Sequence, residues 1–234
     1  MVKRRQTISE LRWPDTDEFM AISKHWCETA STNILTFVWE GYDLLVKEVL
    51  SEIDCSQAKD DIERDITQLL EPEIRKVMTG DEPYYVQHGS YERETRQPAP
   101  AQPKEYDIAF ILSANRRIIW PLEAKVLKTD GDVGEYIKEI NENFIPCLYA
   151  PFSYQGGMLG YLFSGDSNKA FTNIATKVPC TLSDHPNFLN RDHKTSDHQR
   201  IVPAEKEKSY PAEFCCHHLL LKIIASVPTN TSSV

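Results

Sequence analysis

Lys104-Glu-Tyr-Asp-Ile-Ala-Phe-Ile-Leu112 and, one short turn later, Ile118-Ile-Trp-Pro-Leu-Glu-Ala-Lys-Val126 decide the fold of this chain. Two apolar runs flank Ser113-Ala-Asn-Arg-Arg117, which has the composition of a hairpin loop. Side chains alternate faces along a strand, so Glu123 and Lys125 share one face and Ala124 takes the other. Folding the hairpin about Asn115 sets Asp107 opposite Glu123 on that same face. Two carboxylates and an ammonium then converge inside an otherwise apolar hairpin, where unpaired charge is costly. A plain alternative is an edge hairpin carrying a surface salt bridge, since lysine on an edge strand guards against aggregation.

The chemistry of these groups points further. Hard carboxylate oxygens suit Mg²⁺ or Mn²⁺. Such an ion polarises a phosphate and acidifies water, and a neighbouring lysine orients that water or stabilises developing charge. Two acids and a lysine at this spacing fit phosphodiester hydrolysis.

Asp107, followed on the next strand by Glu123-Ala-Lys125, resembles the PD-(D/E)xK nuclease superfamily, which includes restriction, repair and phage-defence nucleases. The resemblance spans about residues 58–165. It implies a restriction endonuclease-like α/β core, a mixed central β-sheet flanked by helices, here with an N-terminal helical extension. It assigns Asp107 and Glu123 to Mg²⁺ or Mn²⁺ and Lys125 to the attacking water. In that superfamily a helix before the first strand often adds an acidic ligand. Glu63 and Glu73 stand there, and Glu63 is preferred as the auxiliary metal ligand. Tyr136 matches a polar or aromatic position on the following helix, and a core tyrosine is the equal alternative; Gln87 is a further residue that could shape the site. Glu105-Tyr106 precedes Asp107 where the superfamily often has proline, although Pro103 is close by. The implied activity is that of a metal-dependent nuclease, on DNA rather than RNA, as effector of a defence complex. The alternative is a catalytically silent nuclease-fold subunit of a multi-protein assembly.

The rest of the chain fits around the hairpin. Ile34, Leu35, Val38, Tyr42, Leu45, Val49 and Ile53 recur at helical steps within a helix from Asp17 to about Ile53, with Ser31 or Thr32 as a cap of its second half. A second helix is expected at about 57–78, bent or interrupted by Pro72. Tyr84–His88 reads as a strand, and 89–105, with its prolines, as a long connection. A helix at about 132–145, a glycine-bearing strand at 156–163, a helix near Lys169–Thr176 and a terminal apolar element at Phe214–Ile224 follow. The division expected is an arm and helical extension over 1–56 and an α/β domain over 57–234, or one continuous domain.

Residues 181–212 read as loop. Three Asp-His pairs, Asp184-His185, Asp192-His193 and Asp197-His198, fall there and read as surface features. A second acidic-x-Lys, Asp192-His-Lys194, is set aside because no strand is expected around it. Cys215-Cys-His-His218 lacks the spacers of a zinc site and reads as a buried terminal element. The six cysteines show no CxxC pair. No P-loop, dinucleotide fingerprint or nucleophile elbow occurs.

The 234 residues carry a net charge of −9, which is awkward for a DNA enzyme. Residues 167–234 hold eight Lys and Arg against six Asp and Glu, so the negative excess lies in 1–166. Lys3, Arg4, Arg5 and Arg12 are locally basic. The expectation is weak intrinsic affinity for nucleic acid, with a protein partner or a homo-oligomer supplying the grip. No run is apolar and long enough to span a bilayer, and no apolar core follows Met-Val-Lys-Arg-Arg, so a cytoplasmic protein without membrane partners is expected.

Overall fold

The computed structural model describes residues 8–48, 58–92, 94–95, 103–178 and 180–223. Strands β1 (Tyr84–Tyr91), β2 (Glu105–Leu112) and β3 (Ile119–Leu127) form an antiparallel meander. Ile108 lies opposite Leu122 and Ile111 opposite Ile119, the register expected for a hairpin folded about Asn115. Asn115 tightens that turn, its backbone N–H donating to Leu112 O and its side-chain oxygen accepting from Arg117 N.

Strand β4 (Gln155–Leu162) adds parallel to β3, and β7 (Glu213–Lys222) parallel to β4. Strands β6 (His193–Gln199) and β5 (Ser183–Asp184) complete the far side antiparallel. The result is a seven-stranded mixed sheet in the order β1-β2-β3-β4-β7-β6-β5. Between β3 and β4 run α4 (Gly134–Glu139) and a single π-helical turn, Ile140–Phe144; α5 (Ser167–Lys177) follows β4.

Strand alternation divides the core into two layers. Ile108, Phe110, Trp120, Leu122 and Ala124 face the long helices α2 (Asp17–Glu48) and α3 (Lys59–Val77). Ala109, Ile111, Ile119 and Leu127 face α4, the π turn and α5. Ile34, Leu35 and Val38 of α2 share one core with Ile66 and Leu70 of α3 and with the sheet. At the α2–α3 crossing, a Cβ on Gly41 would lie 2.7 Å from Ile74 Cγ1 and 2.8 Å from Ile74 N, so glycine permits the close approach.

Several local expectations are corrected. Helix α2 runs unbroken through Ser31, whose hydroxyl donates to Cys27 O and accepts from Trp120 Nε1 at 2.9 Å, so it is a packing contact and not a cap. Val49 and Ile53 lie outside the described residues. Helix α3 also continues through Pro72. The N-terminal arm contains a short helix, α1 (Ile8–Arg12). The connection after β1 is anchored where it is described: Tyr106 OH donates to Glu92, and Arg117 donates to Glu94 at 2.8 and 2.9 Å.

The largest correction concerns 181–212, which holds β5 and β6 and is not all loop. Asp192-His-Lys194 runs into β6, where Lys194 pairs with Asp184 of β5 at 2.5 Å. Of the Asp-His pairs, His193 and His198 are buried. Trp39 Nε1 donates to His193 Nδ1 at 3.2 Å, His193 Nε2 meets His217 Nδ1 at 3.3 Å, and His217 Nε2 meets Gln155 Oε1 at 3.1 Å. An indole can only donate, so the neutral His193 carries its proton on Nε2 and each later bond runs in the same direction. On the other face Ser196 Oγ lies 2.7 Å from both His198 Nε2 and His218 Nε2. Buried imidazoles satisfy a strand that carries almost no apolar residue. Cys215-Cys-His-His218 lies in β7, deep in the sheet, as the buried element expected.

Arg117 ties the layers together. Its guanidinium lies between the Phe19 and Phe152 rings, 5.0 and 4.7 Å from their centroids. It donates to Trp13 O, to Asp15 at 2.6 Å and to Glu94. Arg117→Ala leaves the buried Glu94 side chain without its cation and Asp15 with Lys206 alone, at 3.4 Å, so the unfolding free energy in urea should fall by about 3–5 kcal/mol. A loss within about 0.5 kcal/mol, the range of ordinary surface changes, would refute the clamp.

Burial holds His193 down to about 2 and His217 and His218 down to about 3, each below the ordinary 6.5. A depressed folded value means the stability is complete above about pH 6.5 and is lost as pH falls. The unfolding free energy should drop below pH 6.5 by up to about 1.4 kcal/mol per pH unit for each histidine. A His217→Asn chain should show a shallower drop relative to its own stability at pH 8; an unchanged slope would contradict the assignment.

Candidate active site

The site lies where β2 parts from β3. Their ladder ends at Ile108–Leu122. Leu112 N donates to Ile118 O, so the even-numbered main-chain groups of β3 point toward β2. Beyond Leu122 the N–H groups of Ala124 and Val126 point to that side with no strand to receive them. Side chains take over: Ala124 N donates to Asp107 Oδ2 at 2.7 Å, and Val126 N to Glu63 Oε2 at 2.9 Å. Asp107 comes from the end of β2 and Glu63 from the first turns of α3. The amphipathic pattern of α3 buries Ile62 and Ile66 and so fixes the azimuth of Glu63.

Lys125 occupies the centre. Its Nζ donates to Glu63 Oε1 and Glu123 Oε1, each at 3.1 Å, and to Ala124 O at 2.7 Å. Glu139 of α4 stands 3.8 Å away. Burial alone would lower the Lys125 pKa, but Glu123, Glu63, Asp107 and Glu139 together raise it, so the ammonium stays charged. Glu123 is 5% exposed; desolvation first, then the neighbouring Asp107 charge, pushes its carboxyl well above the usual range, against the pull of Lys125. Burial also raises Glu63, opposed by Lys125. Glu123 Oε2 is buried with no hydrogen-bond partner. The Tyr149 hydroxyl lies 3.1 Å from Glu105 O and also borders this carboxylate; burial first, then the Glu123 charge, raises its pKa.

The structure thus brings Asp107, Glu123, Lys125 and Glu63 together. Glu73 is elsewhere, paired with Lys76 at 2.7 Å. Tyr136 packs beside Gly160, but its hydroxyl meets His218 Nδ1 at 3.0 Å, the contact of a core tyrosine. Gln87 lies on β1 opposite Ala109 and makes no bond to the cluster. Sequence reasoning missed Glu139, Asn143 and Tyr149. Glu139 and Asn143 fall three residues after Tyr136 and Ile140, on the buried face of α4 and the π turn, and Asn143 Nδ2 donates to Glu139. Polar residues breaking into an apolar helical stripe were the available signal.

Among the described residues no group of three or more Asp, Glu, His or Cys side chains is arranged to hold a metal ion. The donor set nevertheless fits a hard divalent cation. Asp107 and Glu123 would supply carboxylate oxygens, Glu123 Oε2 has no hydrogen-bond partner, and four carboxylates surround a single ammonium. No family model matches the chain, and no curated protein and no solved structure matches it.

A carboxyl whose folded pKa is raised destabilises the fold once pH exceeds its unfolded value near 4.5, because the unfolded chain then ionises freely while the buried native group holds its proton. Glu123→Gln removes that cost while Lys125 retains Glu63. Its midpoint of thermal unfolding at pH 7.5 should rise by roughly 2–4 °C, the effect of about 1 kcal/mol in a chain of this size. Adding 5 mM Mn²⁺ should raise the wild-type midpoint and leave the variant unmoved. A variant less stable than wild type would mean that Glu123 is a structural ion-pair partner.

Proposed function

We propose that this chain is a divalent-metal-dependent nuclease with a restriction endonuclease-like core, acting on DNA. One observation carries the proposal: at the parting of β2 and β3, Asp107 and Glu63 are fixed by β3 amides, while Glu123 keeps a buried oxygen without a partner beside Lys125. Structural ion pairs satisfy both their members, whereas this cluster leaves negative charge in excess.

Mg²⁺ or Mn²⁺ held by Asp107 and Glu123, with Glu63 as an auxiliary ligand, would polarise the scissile phosphate and acidify water. The protein's own groups do the rest. Asp107 Oδ2 accepts from Ala124 N, which fixes the carboxylate plane and leaves Oδ1 for the ion. Lys125 gives up its bond to Glu123, keeps Glu63, and turns an N–H toward the attacking water. Its high pKa makes it a donor that orients water and stabilises the phosphorane charge, and not a base. Burial of Glu123 keeps the local dielectric low, which strengthens each of these interactions.

A catalytically silent nuclease-fold subunit is the second reading, favoured by Lys125, whose three N–H donors all have acceptors. Cleavage of plasmid, linear and single-stranded DNA, titrated with Mg²⁺ and Mn²⁺, separates the two. The wild-type chain should cut; Asp107→Ala, Glu123→Ala and Lys125→Ala should each lose activity by about 10²-fold or more with their circular dichroism unchanged. Full activity in any of these variants, or none in the wild type with metal and DNA, would overturn the proposal. Affinity for plain duplex at physiological salt should be weak, with a dissociation constant of roughly 10⁻⁴–10⁻⁶ M; nanomolar binding by the chain alone would remove the reason to expect a partner supplying the grip.

A further inference from the structure

A groove of about 630 Å³ runs between the N-terminal arm and the β1–β2–β3 meander. Tyr85, Gln87, Ile111 and Ile119 form its floor, on the sheet face to which Glu123 and Lys125 also belong. Gln87 lies opposite Ala109 on β2, and Gly89, at the end of the groove, falls opposite Asp107 between the pairs His88–Ile108 and Ser90–Tyr106. One end of the groove therefore lies one strand away from Asp107, although no residue of the carboxylate cluster lines it.

Its walls are unlike the rest of this acidic chain. Arg12 and Arg116 are exposed on the rim, and neither forms an ion pair with a described residue. The two acids of the lining are engaged: Glu94 holds Arg117, and Glu92 accepts from Tyr106 OH. Two unneutralised cations thus remain. Trp13 lines the same groove, its carbonyl pinned by Arg117 and its ring 4.6 Å from the Arg12 guanidinium. An indole with arginines along a narrow polar groove is what single-stranded nucleic acid uses, bases stacking on the aromatic and phosphates meeting the cations. The volume is that of a small-ligand pocket, roughly 300–1,000 Å³, enough for a few atoms of backbone and a base or two. A duplex keeps its bases paired and stacked inside the helix and offers no free base face to the indole.

We infer that this groove holds a single strand of nucleic acid on one side of the scissile phosphate, with Trp13 as stacking platform and Arg12 and Arg116 as phosphate contacts. The inference rests on the nuclease proposal for the same site.

Binding can be read without cleavage. Fluorescence anisotropy of a labelled twelve-nucleotide oligo-dT and of a hairpin duplex, in EDTA with the full chain, gives affinity and salt dependence. Expected are tighter binding of the single strand than of the duplex, and a loss of about tenfold or more in Trp13→Ala. Arg12→Glu with Arg116→Glu should weaken binding and flatten the slope of log affinity against log salt by about 1.4, two phosphate contacts at about 0.7 each. Affinity and slope unchanged in the double variant, or duplex bound as tightly as single strand, would overturn the inference. The two proposals fail separately. Cleavage that needs Lys125 but is indifferent to Arg12, Trp13 and Arg116 sinks the groove alone. Single-strand binding that those variants abolish, in a chain that never cuts, sinks the nuclease alone.

Discussion

The structure depends on how β3 is completed after β2 leaves it. A buried strand cannot leave N–H groups unpaired, since each costs about 1–3 kcal/mol. Ala124 and Val126 face that problem, and the carboxylates of Asp107 and Glu63 solve it. The same two bonds hold acidic groups in a place where bulk packing would not. Lys125 and Glu123 then follow from strand alternation, because Ala124 and Val126 must take the helix side. Secondary-structure completion and charge concentration are one event here, and the cluster is as rigid as the sheet edge it repairs.

The hairpin and its register were legible because the apolar runs are long and the turn is short. Asp107, Glu123 and Lys125 could be placed from period-two alternation alone, whereas Glu63 came only from the resemblance, which puts an acidic ligand on the helix before the first strand. Strand β6 was not legible. His193-Lys-Thr-Ser-Asp-His-Gln199 has a polar surface pattern, yet His193, Ser196 and His198 are buried. Hydropathy cannot see a polar residue whose partners make it fit the interior, and those partners, Trp39 of α2 and His217 and His218 of β7, come from distant segments. Glu139 escaped for the same reason. One helix was read from Asp17 onward, but the role of Ser31 was mistaken because a serine looks alike as a cap and as the acceptor for a buried tryptophan.

The charge of −9 and the candidate site need not conflict. Arg117 is basic but unavailable, neutralised by Asp15 and Glu94. Arg191 is taken by Asp43 and Lys194 by Asp184. Counting formal charge therefore misstates what a polyanion would meet. What matters is which cations remain uncompensated, and at the hairpin tip Arg116 is one. The tip and the carboxylate cluster lie at opposite ends of the same two strands, so attraction and reaction are separated by the length of a hairpin.

The histidine chain across β6, β7 and β4 has a consequence for how the chain finds its fold. Strand β6 offers almost no apolar alternation to choose its alignment against β7. A shift by one residue would carry His193 to the opposite face, away from Trp39 and His217, and strand three buried polar groups. With every bond pointing the same way from indole to amide, no partial match satisfies it. The imidazoles thus serve as an alignment key for the far edge of the sheet, one that accepts a single pairing of strands and rejects its neighbours.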